Sequence, residues 1–449
     1  MVRKVALGSL IAGVCAMTAG SALADNRISA SKKGSLLIYS KVELKWLQVA
    51  PEVFVPIQDT ILDIGNDYPE DVKVQFYFVN GDPPLDEVCD PMCPLIGGRC
   101  PEECIVERAH TGWNWVDCEI LLTANQPTFL EMLTGNRLGG AGCQPFTELD
   151  PGFPPGRPDP DNPRLGRVLR GFAYAWAVKN DPEDGQNRQI RWNHLLGDAA
   201  IVNFFLATAA EYNAYAAAVV ERPGGPANGD FVGTAGVINL NGVEYDSAFA
   251  RLLLDFYASG SIALSSEDVL VIVDTDITLH PISADLRQET NGPIKTKAKF
   301  DIWNENEIRF SGTEICVECW NQTLASRYPA PNHLLLSTLG TDKGKARIEG
   351  IASNIPACPL AVDAALLGVS IKEMVFCNED DEATAGLDIT ECRDIPDGFA
   401  TSAITLVGQG EKNATIMYDL VGGSDEAQGL TGSAGIGTPK PVKTGRTGR

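Results

Sequence analysis

Short apolar runs separated by turn residues recur through most of the chain. Segments 36–44, 72–79 and 168–178 are rich in Val, Ile, Phe and Tyr, and clusters of Gly, Pro, Asn and Asp lie between such runs. The 44 glycines and 28 prolines supply turns throughout, whereas long stretches with helical periodicity are scarce. This pattern is typical of β-sandwiches and predicts an all-β protein with long loops and little helix.

Further strands are expected in both halves of the chain, at 60–64, 119–122, 269–279, 294–303, 345–351, 367–376 and 403–407. One helix is expected. Residues 207–220 are rich in alanine, a strong helix former, and Pro223-Gly224 would end the helix.

The length of 449 residues predicts more than one domain, because a chain of this size exceeds what one hydrophobic core usually organises. Segments 73–80 and 297–304 align without a gap and share Lys, Phe and Asn at equivalent positions. We therefore expect two related modules, at 25–258 and 267–421. The serine-rich segment 259–266 would be their linker.

A family resemblance points in the same direction. The run Thr60-Ile-Leu-Asp-Ile-Gly-Asn66, followed by Glu70-Asp71 and the strand 72–79, resembles the second and third strands of immunoglobulin-like modules in exported bacterial proteins. A fainter echo lies in the second half. The resemblance implies two tandem immunoglobulin-like β-sandwich domains that present loops to partners, and it supplies no catalytic residues.

Residues 1–24 have the composition of a secretory signal peptide. Arg3 and Lys4 precede an apolar run at 5–19, and Ala22-Leu23-Ala24 fits the small-residue pattern before a cleavage site. We therefore expect export to the periplasm, the cell surface or the medium. No other segment reaches the roughly 20 apolar residues of a membrane helix, so no membrane span is expected.

The net charge of −23 at pH 7 argues against nucleic-acid binding, because an acidic surface repels phosphate groups. Segment 422–449 is rich in Gly, Ser and Thr, and its last ten residues are basic. It is predicted to be a disordered basic tail. Contact between this tail and the acidic body of another copy would give a homo-oligomer, and a passive tail is the alternative.

The cysteines predict disulfides, because exported proteins are usually oxidised. Of the 12 cysteines, only Cys15 lies in the signal peptide. Cross-links would stabilise a Pro- and Gly-rich insertion at 86–118 that has few apolar residues. A zinc site of four thiolates is the alternative there. The candidates in this insertion are Cys89, Cys93, Cys100 and Cys104.

Cys316 and Cys319 form the second candidate cluster. Trp320 stands where a c-type haem site needs His. The strand-like run before Cys316 also lacks the helix N-terminus that lowers the thiol pKa in redox motifs. A structural disulfide is the favoured interpretation, with redox chemistry as the alternative.

No short motif of an enzyme is found in the sequence. Metalloprotease, nucleophile-elbow and phosphate-loop patterns are missing, and 59 acidic residues are too many to identify a glycosidase pair. We expect a non-catalytic structural or binding protein of the bacterial cell surface or periplasm. The alternative is a secreted hydrolase or carbohydrate-binding protein that uses acidic loops between strands.

Two ligand hypotheses remain. Trp113 and Trp115 would share one face of a strand, where they suit a sugar ring of a surface glycan or, alternatively, the core of a sandwich. No cofactor is expected. Calcium is the one ion that export and acidity favour, through the acidic loops 159–162, 181–187 and 379–382, which match no calcium-loop pattern and can equally be solvated turns.

Overall fold

The computed structural model describes residues 27–51, 53–82, 115–133, 157–160, 162–264, 269–282, 285–286, 294–378, 398–418 and 420. Within these ranges the chain is almost entirely β-strand, with one four-residue helix and one 3₁₀ turn. The all-β prediction is therefore confirmed for the part of the chain that the structure describes.

The first eleven strands form one antiparallel sheet, which we call the large sheet. Its strand order is β10-β9-β2-β1-β7-β3-β4, with β11 on β1, β5 on β2, and β6 and β8 on β7. The strands are Leu36–Ala50 (β1), Val53–Asn66 (β2), Val72–Asn80 (β3), Trp115–Leu122 (β4), Pro127–Glu131 (β5), Arg157–Asp159 (β6), Asn162–Asn180 (β7), Asn187–Gln189 (β8), Leu195–Asn203 (β9), Thr208–Asn213 (β10) and Tyr215–Ala217 (β11).

The later strands form smaller sheets. They are Val237–Leu240 (β12), Ala248–Tyr257 (β13), Gly260–Leu264 (β14), Val269–Pro281 (β15), Lys295–Asn304 (β16), Arg309–Glu318 (β17), Asn321–Leu324 (β18), Lys343–Ile351 (β19), Ser353–Ile355 (β20), Cys358–Ala361 (β21), Leu366–Asn378 (β22), Gly398–Thr405 (β23), Gly408–Lys412 (β24) and Ala414–Met417 (β25). The 3₁₀ turn is Ala325–Arg327 and the helix α1 is Leu336–Leu339.

Two five-stranded sheets and two strand pairs result. One sheet has the order β17-β16-β19-β13-β24, and the other has the order β14-β15-β22-β23 with β18 on β15. We call the latter the second sheet. The remaining pairs are β12 with β25 and β20 with β21.

The predicted helix at 207–220 is wrong, because this segment forms β10 and β11. In β10 the buried Ala210 and Tyr212 alternate with exposed residues, which is the period of a strand. The Tyr212 hydroxyl donates a hydrogen bond to the Lys41 carbonyl of β1. Pairing and side-chain burial thus outweigh the helix propensity of alanine here.

The predicted linker at 259–266 also contains regular structure. Gly260–Leu264 is β14 and pairs with β15 in an antiparallel register. β12 and β13 precede this segment, yet β12 pairs with β25 and β13 pairs with β19 and β24. Strands from before and after the predicted linker therefore share sheets.

The central strand β7 of the large sheet is buried on both faces. On β7, Phe172, Tyr174 and Trp176 belong to one hydrophobic core, whereas Ala173 and Ala175 belong to a second core on the opposite face. The first core also contains side chains from β13, β16 and β19, so it joins the two halves of the chain.

Segments 73–80 and 297–304, which align in sequence, make equivalent contacts. Each ends in a buried Asn whose side-chain oxygen accepts a hydrogen bond from the backbone N–H two residues later. Each begins with a Lys that pairs with a Glu on the neighbouring strand. The two ion pairs are Lys73–Glu119 at 3.2 Å and Lys297–Glu314 at 2.6 Å.

Candidate binding site

A cleft of about 370 Å³ lies where the large sheet meets the second sheet. This volume falls within the roughly 300–1,000 Å³ of small-molecule sites. Strands of both sheets line the cleft with charged and polar side chains, which include Glu43, Lys45, Gln58, Arg170, Asn203, Asp276, Gln322, Glu373 and Thr401.

A β-bulge in β1 turns charged side chains toward the cleft. Before the bulge, Leu37 and Tyr39 lie in the second core, and after it Val42 and Leu44 lie in that same core. The register of β1 with β7 shifts between Tyr39 and Val42. The side chains at 41, 43 and 45 therefore point away from the second core and toward β15, as expected of a bulge that redirects alternation.

Lys41 is the buried centre of the charge network behind the cleft. Its side chain is 1% exposed, and its Nζ lies 2.8 Å from Asp276 Oδ2 and 3.5 Å from Glu43 Oε2. The Thr278 hydroxyl lies 3.4 Å from the same ammonium. This pairing offsets part of the cost of burying the three charges.

One carboxylate oxygen of Asp276 accepts two hydrogen bonds, and the other accepts none from the described residues. Both Lys41 and the Gln322 amide, at 2.7 Å, donate to Oδ2. Oδ1 is buried and has no hydrogen-bond partner, and the residue as a whole is 4% exposed. A buried acceptor without a donor costs about 1–3 kcal/mol, so this oxygen is a strong candidate for a ligand contact.

Glu43 has a similar arrangement. The Gln58 amide donates to Oε2 at 2.9 Å, whereas Oε1 makes no hydrogen bond and has the Lys45 ammonium 3.6 Å away. Burial alone would raise the pKa of Glu43, but the ammonium groups of Lys41 and Lys45 hold it well below its usual range. Glu43 is therefore ionised at neutral pH.

Glu373 is the third carboxylate of the cleft, and its side chain remains exposed. The surrounding protein disfavours its charge and, together with the negative Asp276, raises its pKa to about 7. Lys45 and Lys41 act in the opposite direction. Glu373 forms no salt bridge with any residue that the structure describes, so its charge has no close partner.

Arg170 is committed to contacts within the protein. Its guanidinium donates to both oxygens of Asp82, at 3.0 and 3.1 Å, and lies over the Trp320 ring at 5.6 Å. Gln322 accepts a further hydrogen bond at 3.3 Å. Burial disfavours the charge, but Asp82 raises the pKa of Arg170 above its ordinary value.

Within the described ranges, no group of three or more His, Cys, Asp or Glu residues is placed to hold a metal ion. In the acidic loop 181–187, Asp181 accepts hydrogen bonds from the Glu183 N–H at 3.0 Å and from Arg188 at 2.5 Å. Segment 379–382 lies outside the described residues. Calcium binding stays a prediction.

A disulfide is present at Cys316, one of the candidates named from the sequence. Cys316 on β17 is bonded to Cys358 on β21, 42 residues later, and not to Cys319. Cys319 is buried in the first core instead. Cys118 on β4 is also disulfide-bonded. The four candidates of the insertion, Cys89, Cys93, Cys100 and Cys104, lie outside the described residues.

The predicted sugar platform is only partly within the described residues. Trp113 lies outside them, and Trp115 begins β4 opposite Val79 of β3. Sugar stacking by these indoles stays a prediction.

A second, more open groove of about 950 Å³ runs along the outer face of the sheet that contains β16 and β19. Its Trp303 ring has Arg309 and Arg347 at 5.7 and 5.8 Å, and both guanidinium groups also pair with Asp301. Tyr257 is similarly flanked by two lysines. These rings already contact cations of the same chain, which makes them poorer stacking surfaces than free rings.

The residues that line the cleft are not among the site residues predicted from the sequence. The available signal was the alternation of charged with apolar residues inside strongly strand-like runs, as in Lys41-Val42-Glu43-Leu44-Lys45 and Asp274-Thr275-Asp276. Burial of an unpaired charge costs free energy. Charged residues at every second position of a buried strand are therefore expected to pair with other polar groups, and such a pattern indicates a polar site.

No helix in the described part of the chain is long and apolar enough to cross a membrane. No protein-family model and no curated protein matches this chain.

Proposed function

We propose that this is an exported binding protein that holds a small polar ligand in the cleft between the large sheet and the second sheet. The observation that carries the proposal is the Asp276 oxygen, which is buried without a hydrogen-bond partner in a residue that lines a cavity of ligand size. The signal-peptide composition of residues 1–24 supports export.

Binding is favoured over catalysis by the way the carboxylates are held. Glu43 and Asp276 are tied to Lys41, Gln58 and Gln322. Phe399 is the one aromatic side chain among the described residues that line the cleft. A sugar-cleaving site of the kind that the sequence analysis considered would have several aromatic walls.

Occluding the cleft tests the proposal. Ala400 is an exposed residue of β23 that lines the cleft, so Ala400→Trp would fill the cleft without disturbing the core. Ala357→Trp, at an exposed turn outside the cleft, is the matched control. A thermal-shift screen of small polar metabolites should give compounds that stabilise the native protein and the control but not Ala400→Trp. Equal stabilisation of all three proteins, or no active compound, would overturn the proposal.

Glycoside hydrolysis is the second candidate, favoured by one observation. The pKa of Glu373 is raised to about 7 beside Asp276, and hydrolases use such a protonated carboxyl as a general acid next to an ionised carboxylate. If this function is correct, chromogenic glycosides will be cleaved by the native protein and not by Glu373→Gln. Cleavage of none of them would reject it.

Two broader features accompany the proposal. We propose that the halves of the chain are related immunoglobulin-like modules, supported by the equivalent contacts of β3 and β16.

Self-association through the basic tail 422–449, which lies outside the described residues, is proposed on the charge contrast with the acidic body. Removal of the tail should then lower the mass measured by light scattering at low salt, and an unchanged mass would reject the idea.

A further inference from the structure

Among the described residues that line the cleft, the two buried side-chain atoms without a hydrogen-bond partner are both acceptors. Oδ1 of Asp276 and Oε1 of Glu43 are buried without a hydrogen-bond partner, and both residues line the cleft. Ionised carboxylates accept hydrogen bonds and donate none. A ligand that satisfies both groups must therefore supply donors.

The cations in and behind the cleft, Lys41, Lys45, Arg170 and Arg327, already interact with other groups of the protein. The Lys41 ammonium is shared between Asp276 and Glu43, and the Arg170 guanidinium is bound to Asp82 by two hydrogen bonds. Lys45 lies 3.6 Å from Glu43 Oε1 and 3.9 Å from Asp159. An anionic ligand would have to displace one of these internal pairs.

Glu373 adds a negative charge that no described residue pairs with. It shares the cleft with Asp276 and Glu43. A ligand with a positive charge would be attracted by all three carboxylates, whereas a neutral polyol would satisfy the acceptors without offsetting the charge. No group of three or more His, Cys, Asp or Glu residues in the described part of the chain is placed to hold a metal ion, and an organic cation is the ligand class that also suits the apolar walls.

The remaining walls of the cleft are apolar and suit a hydrocarbon group. Ligand sites usually combine such walls with a few polar contacts that fix orientation. The apolar residues that line this cleft include Ile201, Leu206, Leu324, Ile371, Met374, Val375 and Phe399.

We propose that the cleft binds a small organic cation, whose primary ammonium group donates hydrogen bonds to Asp276 and Glu43 and whose hydrocarbon part lies on the apolar walls. This inference rests on the proposed function, because it names the class of ligand for the same cleft. An ammonium group has three donors and no acceptor, which complements carboxylate oxygens. The last side-chain torsion of Asp and Glu has a broad energy minimum. A small rotation about it would turn the oxygen that lacks a hydrogen bond toward the ligand.

The charge of Glu373 makes binding depend on pH. Its pKa of about 7 is set by the protein that surrounds its carboxyl group and by Asp276 and Asp274, against the opposing effects of Lys45 and Lys41. Above this value Glu373 is ionised and attracts the ammonium, and below it the attraction is lost. Binding of an amine that stays protonated should therefore tighten between pH 6 and pH 8.

The probes are cyclohexylamine, cyclohexanol, cyclohexanecarboxylate and the N-trimethylated derivative of the amine, titrated into the full exported chain by calorimetry at pH 8. The four share one ring and differ in charge and in N–H donors. We expect cyclohexylamine to bind at least about tenfold more tightly than the alcohol and the carboxylate, as one charge-assisted hydrogen bond allows. The trimethylated cation should fall between the amine and the alcohol.

Substitution of Glu373 gives the matched comparison. Glu373→Gln removes an exposed charge in the cleft and should weaken amine binding by about tenfold and abolish its dependence on pH. Glu411→Gln removes an exposed charge of β24 outside the cleft and should change neither. An unchanged affinity in Glu373→Gln would overturn the cation assignment.

The outcomes separate this inference from the proposed function. If the alcohol or the carboxylate binds more tightly than cyclohexylamine and Ala400→Trp blocks that binding, the cleft would remain the binding site. The assignment of an organic cation as its ligand would then be overturned. Failure of all four probes to bind would also overturn the assignment of an organic cation. Amine binding that Ala400→Trp leaves unchanged would overturn both the cation in this cleft and the proposed function.

Discussion

The ammonium of Lys41 on β1 lies 2.8 Å from Oδ2 of Asp276 on β15, and both side chains are almost completely buried. The pair joins the large sheet to the second sheet across 235 residues of sequence. It also forms the base of the cleft, since Asp276 lines the cavity and the Lys41 ammonium lies behind it against the Asp276 carboxylate. Stability and the proposed ligand binding would therefore depend on the same contact.

Removal of Lys41 should destabilise the protein strongly. Lys41→Met leaves Asp276 and Glu43 buried without their shared cation, and breaking a buried ion pair in this way costs about 3–5 kcal/mol. Urea unfolding measures the loss. Lys345→Met is the control, because Lys345 pairs with Asp255 at 3.8 Å on the exposed surface, where the cost is about 0–1 kcal/mol. Equal losses in the two variants would contradict the role given to Lys41.

The contribution of Glu373 to the stability of the ligand-free protein should fall as the pH rises from about 4.5 to about 7. Glu373 has an ordinary pKa of 4.5 that the folded protein raises to about 7, so folding favours its protonated form. The resulting stabilisation is complete below pH 4.5 and is lost as the pH rises through 7. Asp59 and Asp198, each raised to about 6 by burial, act with the same sign. His280, whose pKa burial lowers to about 3, acts in the opposite direction over part of this range.

Urea unfolding at pH 5 and pH 8 tests this behaviour. The unfolding free energy at pH 5 minus that at pH 8 should be lower in Glu373→Gln than in the native protein, whereas Glu411→Gln should leave this value unchanged. A difference that Glu373→Gln leaves intact would show that other groups control it.

The cross-link between Cys316 and Cys358 should be recovered by peptide mapping without reduction. Cys316→Ser combined with Cys358→Ser should lower the free energy of unfolding by about 2–5 kcal/mol, because the bond closes a long loop between β17 and β21. Cys319→Ser keeps this bond and serves as the control. Recovery of a peptide in which Cys316 is linked to Cys319 would contradict the assignment.

Many of the strands could be predicted from the local sequence. The alternation of apolar and polar residues, and the turn residues that end each strand, involve only a few neighbouring positions. The segments at 36–44, 72–79 and 168–178 lie within β1, β3 and β7. The segment at 207–220 could not be predicted in this way. Its alanines favour a helix locally, and only the partners β9 and β1, which are distant in sequence, make it a pair of strands.

The cleft could not be predicted for a related reason. The alternating charges of 41–45 and of 274–276 are visible in the sequence, but their meeting depends on a bulge in β1 and on the packing of two sheets. The partner of Cys316 was equally hidden, because the connectivity of disulfides does not follow from spacing.

A crystal structure of the protein soaked with cyclohexylamine at pH 8 tests the central claim most directly. The account predicts density for the ring in the cleft, with the ammonium nitrogen within about 3 Å of Oδ1 of Asp276 and Oε1 of Glu43. A structure in which cyclohexylamine is bound elsewhere and the cleft remains empty would contradict it.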